Sequence, residues 1–108
     1  MKLVIAIVHD EDAHGVTQKL TEANFGVTKL ASTGGFLRSG NTTLFTGVQR
    51  EKVDEVIKII KDVSKTRKEI TTTAPMLGDN SNYIPIPIEV LVGGATIFVV
   101  DIERFEKV

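Results

Sequence analysis

The chain has 108 residues, 13 of them basic and 14 acidic, a formal net charge of −1 and no cysteine. That length predicts one domain, with a core but no room for an enclosed cavity of drug size, so a large ligand has to sit in a surface cleft or between subunits. Balanced charge argues against a general nucleic-acid binder, and the missing thiol excludes disulfides, thiolate metal sites and a cysteine nucleophile.

The opening MKLVIAIVHDEDAH holds one short apolar run that stops at His9 and Asp10. It is shorter than a signal-peptide core and lacks a cleavage site, and no run approaches membrane-spanning length, so a soluble, cytoplasmic protein is expected. LVIAIV, residues 3–8, is continuous and β-rich, which predicts a central strand covered on both faces or buried at an interface. Asp10 offers an N-cap, with Glu11 and Asp12 adding negative charge to the first turn of a helix that runs to about Ala23. Its core face is Ala13, Val16, Leu20 and Ala23; Gly15 weakens it and Gly26 ends it. Residues 27–33 read as a strand, a glycine-rich stretch follows, and 42–48 read as another strand, together a hairpin with a long tip. The next helix has Val53, Val56, Ile57, Ile60 and Val63 on one stripe and charged residues elsewhere, so it packs on a sheet by one face.

Residues 65–69 are charged, and 71–87 are rich in Thr, Asn, Gly and Pro, which predicts a long loop with one short strand near Ile70. Strands at 88–92 and 95–100 flank Gly93 and Gly94, where a bulge or bend is expected. The order strand, helix, strand, strand, helix, strand is the split βαβ, ferredoxin-like arrangement. It is an α+β fold with four antiparallel strands, both helices on one face, and residues 1–108 in a single domain. Val and Ile on the open sheet face predict burial by oligomerisation.

Between the second and third strands lies TGGFLRSGNTT, residues 33–43. From Gly35 it comes within one residue of the triphosphate-loop pattern G-x-x-x-x-G-K-[ST], with Asn41 in place of the lysine. A true triphosphate loop leads into a helix; the β-branched and aromatic TTLFTGV that follows here does not, so the match is coincidental. Gly34, Gly35 and Gly40 could simply shape a hairpin tip. The clustering of other types argues for more: consecutive glycines present N–H groups to an anion, Asn41, Thr42 and Thr28 add neutral donors, and Arg38 adds a cation. Phe36 and Leu37 at an exposed tip suit a flat partner such as adenine.

TKLASTGGFLRSGNTT and NYIPIPIEVLVGGATIFVVD carry a resemblance that extends from MKLVIAIV to the end of the chain. The sequence resembles the PII-like signal transduction proteins, specifically the cyclic di-AMP receptors of Gram-positive bacteria. The resemblance implies a homotrimer with inward-facing sheets and one cyclic di-AMP in each cleft between neighbouring subunits. It also implies a short glycine-rich loop and a long second loop at about 68–85. By the same resemblance, Thr28 and Asn41 bond the phosphates together with Gly35 and its backbone, and Phe36 and Leu37 clamp one adenine. Asn24 and Gly47 help hold a base edge, and Phe98 lines the cleft. Gly26 stands where members often carry arginine, and the FEKV end differs from the aromatic-ended tails of the family.

Other candidates are weaker. His9 and His14, beside Asp10 and Asp12, could suggest a metal site but read as a solvated helix end. No serine has a histidine at a spacing that identifies a base, Tyr83 reads as a loop anchor, and nothing forms a catalytic constellation. The reading is therefore a non-enzymatic receptor for cyclic di-AMP, with no cofactor or metal, that reshapes its loops for an unknown protein effector without nucleic-acid binding or membrane insertion. The alternatives are a PII-type regulator for ATP or ADP and a nucleotide hydrolase using the glycine-rich loop.

Overall fold

A computed structural model of the chain describes residues 1–30, 40–73 and 86–108. The first apolar run becomes β1 (Lys2–His9), in which Val4, Ala6 and Val8 are buried while Leu3, Ile5 and Ile7 are half-buried. Only one face of this strand is covered. The helix that follows, α1 (Asp10–Glu22), buries Ala13, Val16 and Leu20, as its spacing predicts, and also Asp12.

Two glycines of this region act differently from the sequence expectation. A Cβ at Gly15 would lie 3.1 Å from Val63 Cγ1 of the second helix, so the glycine lets the two helices approach closely. The helix is stopped by Asn24 rather than Gly26. Asn24 has φ 69°, in the left-handed region, and donates its N–H to Thr21 O at 2.9 Å, while Phe25 N–H bonds Leu20 O at 2.9 Å. That pair of bonds around a left-handed residue satisfies the last carbonyls of the helix, and Phe25 packs on the core beside it.

The chain continues through β2 (Thr28–Leu30), β3 (Asn41–Val48), a short 3-10 turn (Arg50–Lys52) and α2 (Val53–Ser64). Val56 and Ile60 of the expected stripe are buried, Val53 and Val63 pack at its edges, and Ile59 joins them while Ile57 is half-buried. After α2 come β4 (Arg67–Thr73), β5 (Ile86–Val92) and β6 (Ala95–Asp101). Strands β2, β3, β1 and β6, in that order, form a fully antiparallel four-stranded sheet, and β4 and β5 form a separate antiparallel pair. Both helices pack on the sheet face that carries Val4, Ala6, Val8, Leu44 and Val48. This is the ferredoxin-like, PII-like fold, with a hairpin inserted between α2 and the last sheet strand.

The hairpin corrects the loop expectation. The short strand expected near Ile70 is present but longer, running over residues 67–73 into the charged stretch and the start of the expected loop, and β5 begins at Ile86 rather than at residue 88. Segment RKEITTT has charge on both sides of its pleat, and an isolated two-stranded ribbon has no covered face to impose apolar alternation. Residues 74–85, the rest of the expected loop, lie outside the described residues, as do 31–39 of the first hairpin tip.

Gly93 and Gly94 form the expected bend, with φ 87° and 95°, where the chain leaves the pair and enters the sheet. Gly94 N–H donates to Ser64 O at the end of α2. Nearby, Arg67 reaches α1, its Nη2 lying 2.8 Å from Asp12 Oδ1. The hydrogen bond to Asp12 raises the Arg67 pKa above its ordinary value, so the guanidinium stays charged. At the far end of the sheet, Lys2 pairs with Asp101 directly across β1 and β6. The Lys2 hydrogen bond holds the Asp101 carboxyl below the usual aspartate range. A depressed folded value means this exposed pair contributes above the ordinary value of about 3.9 and is lost as pH falls through the folded one.

Candidate functional site

Residues directly opposite each other in an antiparallel ladder share a face, so the register sorts the candidate residues without further assumption. Thr28 pairs with Phe45, Phe45 with Ile5 and Ile5 with Phe98, giving one row across all four strands. One step toward the end of β1, the row is Leu30, Thr43, Ile7 and Thr96; one step the other way it holds Gly47, Leu3 and Val100. Asn41 pairs with His9 two residues beyond the Thr43–Ile7 pair, on the same face. Thr28, Asn41, Gly47 and Phe98 therefore all belong to the face that the helices leave open. Phe98 is 47% exposed there, and Val100 is 43% exposed.

Gly47 meets only Ile102 Cδ1, 3.9 Å from where a Cβ would lie, so its backbone is accessible from this face. Asn24 is exposed at the end of α1. Gly35, Phe36 and Leu37 lie outside the described residues. Because the backbone of Asn24 closes the helix, two substitutions separate its roles. Asn24→Ala is expected to cost about 1 kcal/mol of stability through the left-handed penalty, whereas Asn24→Gly keeps the turn and removes only the side chain. Thermal unfolding should show a lower midpoint for the alanine variant alone, with ligand affinity reduced in both.

Asn41 also lines a cleft of about 270 Å³ with Ile7, His9, Gly93, Gly94, Ala95 and Thr96. The two glycines and β6 are more than fifty residues from Asn41 in the chain, and no local motif joins them to it. The pairing of β1 with both β3 and β6 does so. Among the described residues, the buried Thr43 Oγ1 on this face has no hydrogen-bond partner, an arrangement that costs about 1 to 3 kcal/mol.

Two of the three acidic groups in the first turn of α1, Asp10 and Asp12, are already engaged. Thr42 Oγ1 donates to Asp10 Oδ1 at 2.5 Å, and Asp12 is held by Arg67. His14 is exposed on α1. Among the described residues, no three His, Asp or Glu side chains converge as a metal site, and no helix is long and apolar enough to cross a membrane.

The chain shares 45% identity with a functionally unknown protein from Pediococcus pentosaceus ATCC 25745 whose crystal structure is known, with a TM-score of 0.78 over 99% of this chain and 96% of that one. The family model described as the cyclic-di-AMP receptor matches residues 1–108. With its four-stranded sheet, its two helices and an open face that gathers Thr28, Asn41, Gly47 and Phe98, the chain belongs to the cyclic-di-AMP receptor family.

Proposed function

We propose that the chain is a non-enzymatic cytoplasmic receptor, one PII-like domain, that binds cyclic di-AMP at subunit interfaces of a homotrimer and reports it to a protein effector through its loops. The observation that carries this reading is the convergence of Thr28, Asn41, Gly47 and Phe98 on one uncovered sheet face. The cleft at Asn41, about 270 Å³, falls below the range of roughly 300 to 1,000 Å³ that takes a drug-sized ligand. A dinucleotide with two adenines needs further walls, and a neighbouring subunit laid on the open face supplies them. The glycine-rich stretch adds Gly35 and backbone donors for the phosphates, with Phe36 and Leu37 against a base.

Calorimetry with cyclic di-AMP, cyclic di-GMP, ATP and ADP, with a product assay on each, tests the reading. Preferential binding of cyclic di-AMP without turnover supports it, preference for ATP or ADP makes the chain a PII-type regulator of another kind, and product formation makes it a hydrolase. Phe36→Ala should weaken cyclic di-AMP binding by roughly 5- to 150-fold, the equivalent of one base–aromatic stack of about 1 to 3 kcal/mol, while leaving the assembly intact. An unchanged dissociation constant would remove Phe36 from the site.

A further inference from the structure

We propose that His9 is a binding residue for the phosphate side of the cyclic dinucleotide, contributing an imidazolium beside the neutral donors Thr28 and Asn41. The inference rests on the receptor reading above. The register sets His9 directly opposite Asn41, so both residues leave the sheet on its open face, where they line the same cleft. Among the described residues lining that cleft, His9 alone is ionisable. Its side chain makes no capping hydrogen bond to the helix it precedes, and it is half-buried. Two residues along β3 from Asn41, the buried Thr43 hydroxyl also lacks a partner. Among the described residues, the face thus holds two polar groups with no visible task.

The charge around His9 allows this role. Strand β3 has no charged residue, and the one on β6, Asp101, sits at the far end beside Lys2. From α1 come Asp10, which accepts from Thr42, Asp12, which is held by Arg67, and Glu11 and His14, both exposed. At the root of the hairpin, Arg67 is committed to Asp12, and Lys68 lies 3.9 Å from Glu89. A phosphodiester stays anionic and adenine stays neutral between about pH 5.5 and pH 8.5, whereas imidazole as a side-chain type changes charge within that range. A phosphate beside an imidazole favours the protonated ring. The gain in affinity is therefore expected at the lower pH and lost at the higher.

The test is calorimetry of the full chain with cyclic di-AMP at about pH 5.5 and about pH 8.5, for the native protein, His9→Gln, His9→Lys and His14→Gln. Binding by the native protein should be roughly tenfold tighter at the lower pH, the size of one charge-assisted hydrogen bond. His9→Gln should flatten that ratio to near one. His9→Lys, charged throughout, should flatten it while holding the higher affinity, and His14→Gln should keep the native ratio. The chain has only two histidines, so proton NMR can follow each ring in the unaltered protein, and ligand should raise the titration midpoint of His9 and leave that of His14 in place. A native ratio near one, a ratio that survives in His9→Gln, or an unmoved His9 midpoint overturns the proposal while leaving the receptor reading standing. Absence of binding at both pH values overturns the two together.

Discussion

Ile5→Glu is expected to dissociate the assembly into folded monomers and to abolish cyclic di-AMP binding with it. Ile5 lies between Phe45 and Phe98 in the row that crosses all four strands, and it is half-buried in the isolated chain. A carboxylate there can reach water in a monomer, so the fold tolerates it. If a second subunit covers the row, the same carboxylate is buried without a partner, at a cost of several kcal/mol per copy. That is enough to weaken association by a factor of about a thousand or more. Light scattering should report the mass of one chain, circular dichroism a native fold, and calorimetry no heat. Native mass and native affinity in this variant would show that the open face is not the interface.

The largest effect on stability should come from Gly93→Ala. At φ 87° an alanine carries the left-handed penalty, and its Cβ would stand 2.5 Å from Lys65 O and 3.0 Å from Ser64 O, both backbone atoms that cannot swing aside. The two effects together amount to about 2 to 5 kcal/mol, which should lower the midpoint of thermal unfolding by roughly 8 °C or more. Gly26→Ala is the control, because a Cβ there meets nothing within 4 Å, and its effect should stay within about 0.5 kcal/mol. A Gly93→Ala protein as stable as the control would mean that the turn into β6 is not built as described.

What the sequence made legible follows from where local physics and tertiary structure agree. The apolar periods of β1 and α2 are set by a single covered face, so Val4, Ala6 and Val8, and Val56 and Ile60, could be read directly. Strand β5 and a strand near Ile70 could be read, but the full length of β4 and its pairing with β5 outside the main sheet could not, because a ribbon without a covered face shows no apolar period and the charged, threonine-rich RKEITTT resembles loop. Asn24 was singled out by resemblance as a ligand residue, but its role in closing α1 was hidden by the nearby Gly26, the residue type that more often fills a left-handed position. Gly15 looked like a flaw in a helix until Val63 was found against it. The site divides in the same way. Thr28, Asn41, Gly47 and Phe98 were singled out by resemblance, and the register sets them on one face, whereas the closeness of His9, Gly93 and Gly94 to Asn41 depends on how three distant strands line up, which no local pattern encodes.

The two glycines at the bend are at once part of the cleft wall and the root of the β4–β5 pair. Mechanically, that makes the root a fulcrum. Strand β5 has seven residues and so is roughly 20 Å long, and a rotation of about 10° at its root carries its far end through roughly 3.5 Å. Among the described residues, the bond from Gly94 to the last turn of α2 and the clasp of Arg67 on Asp12 oppose such a swing. Loosening the clasp alone, without touching the cleft wall, would lengthen the travel of the arm at unchanged leverage.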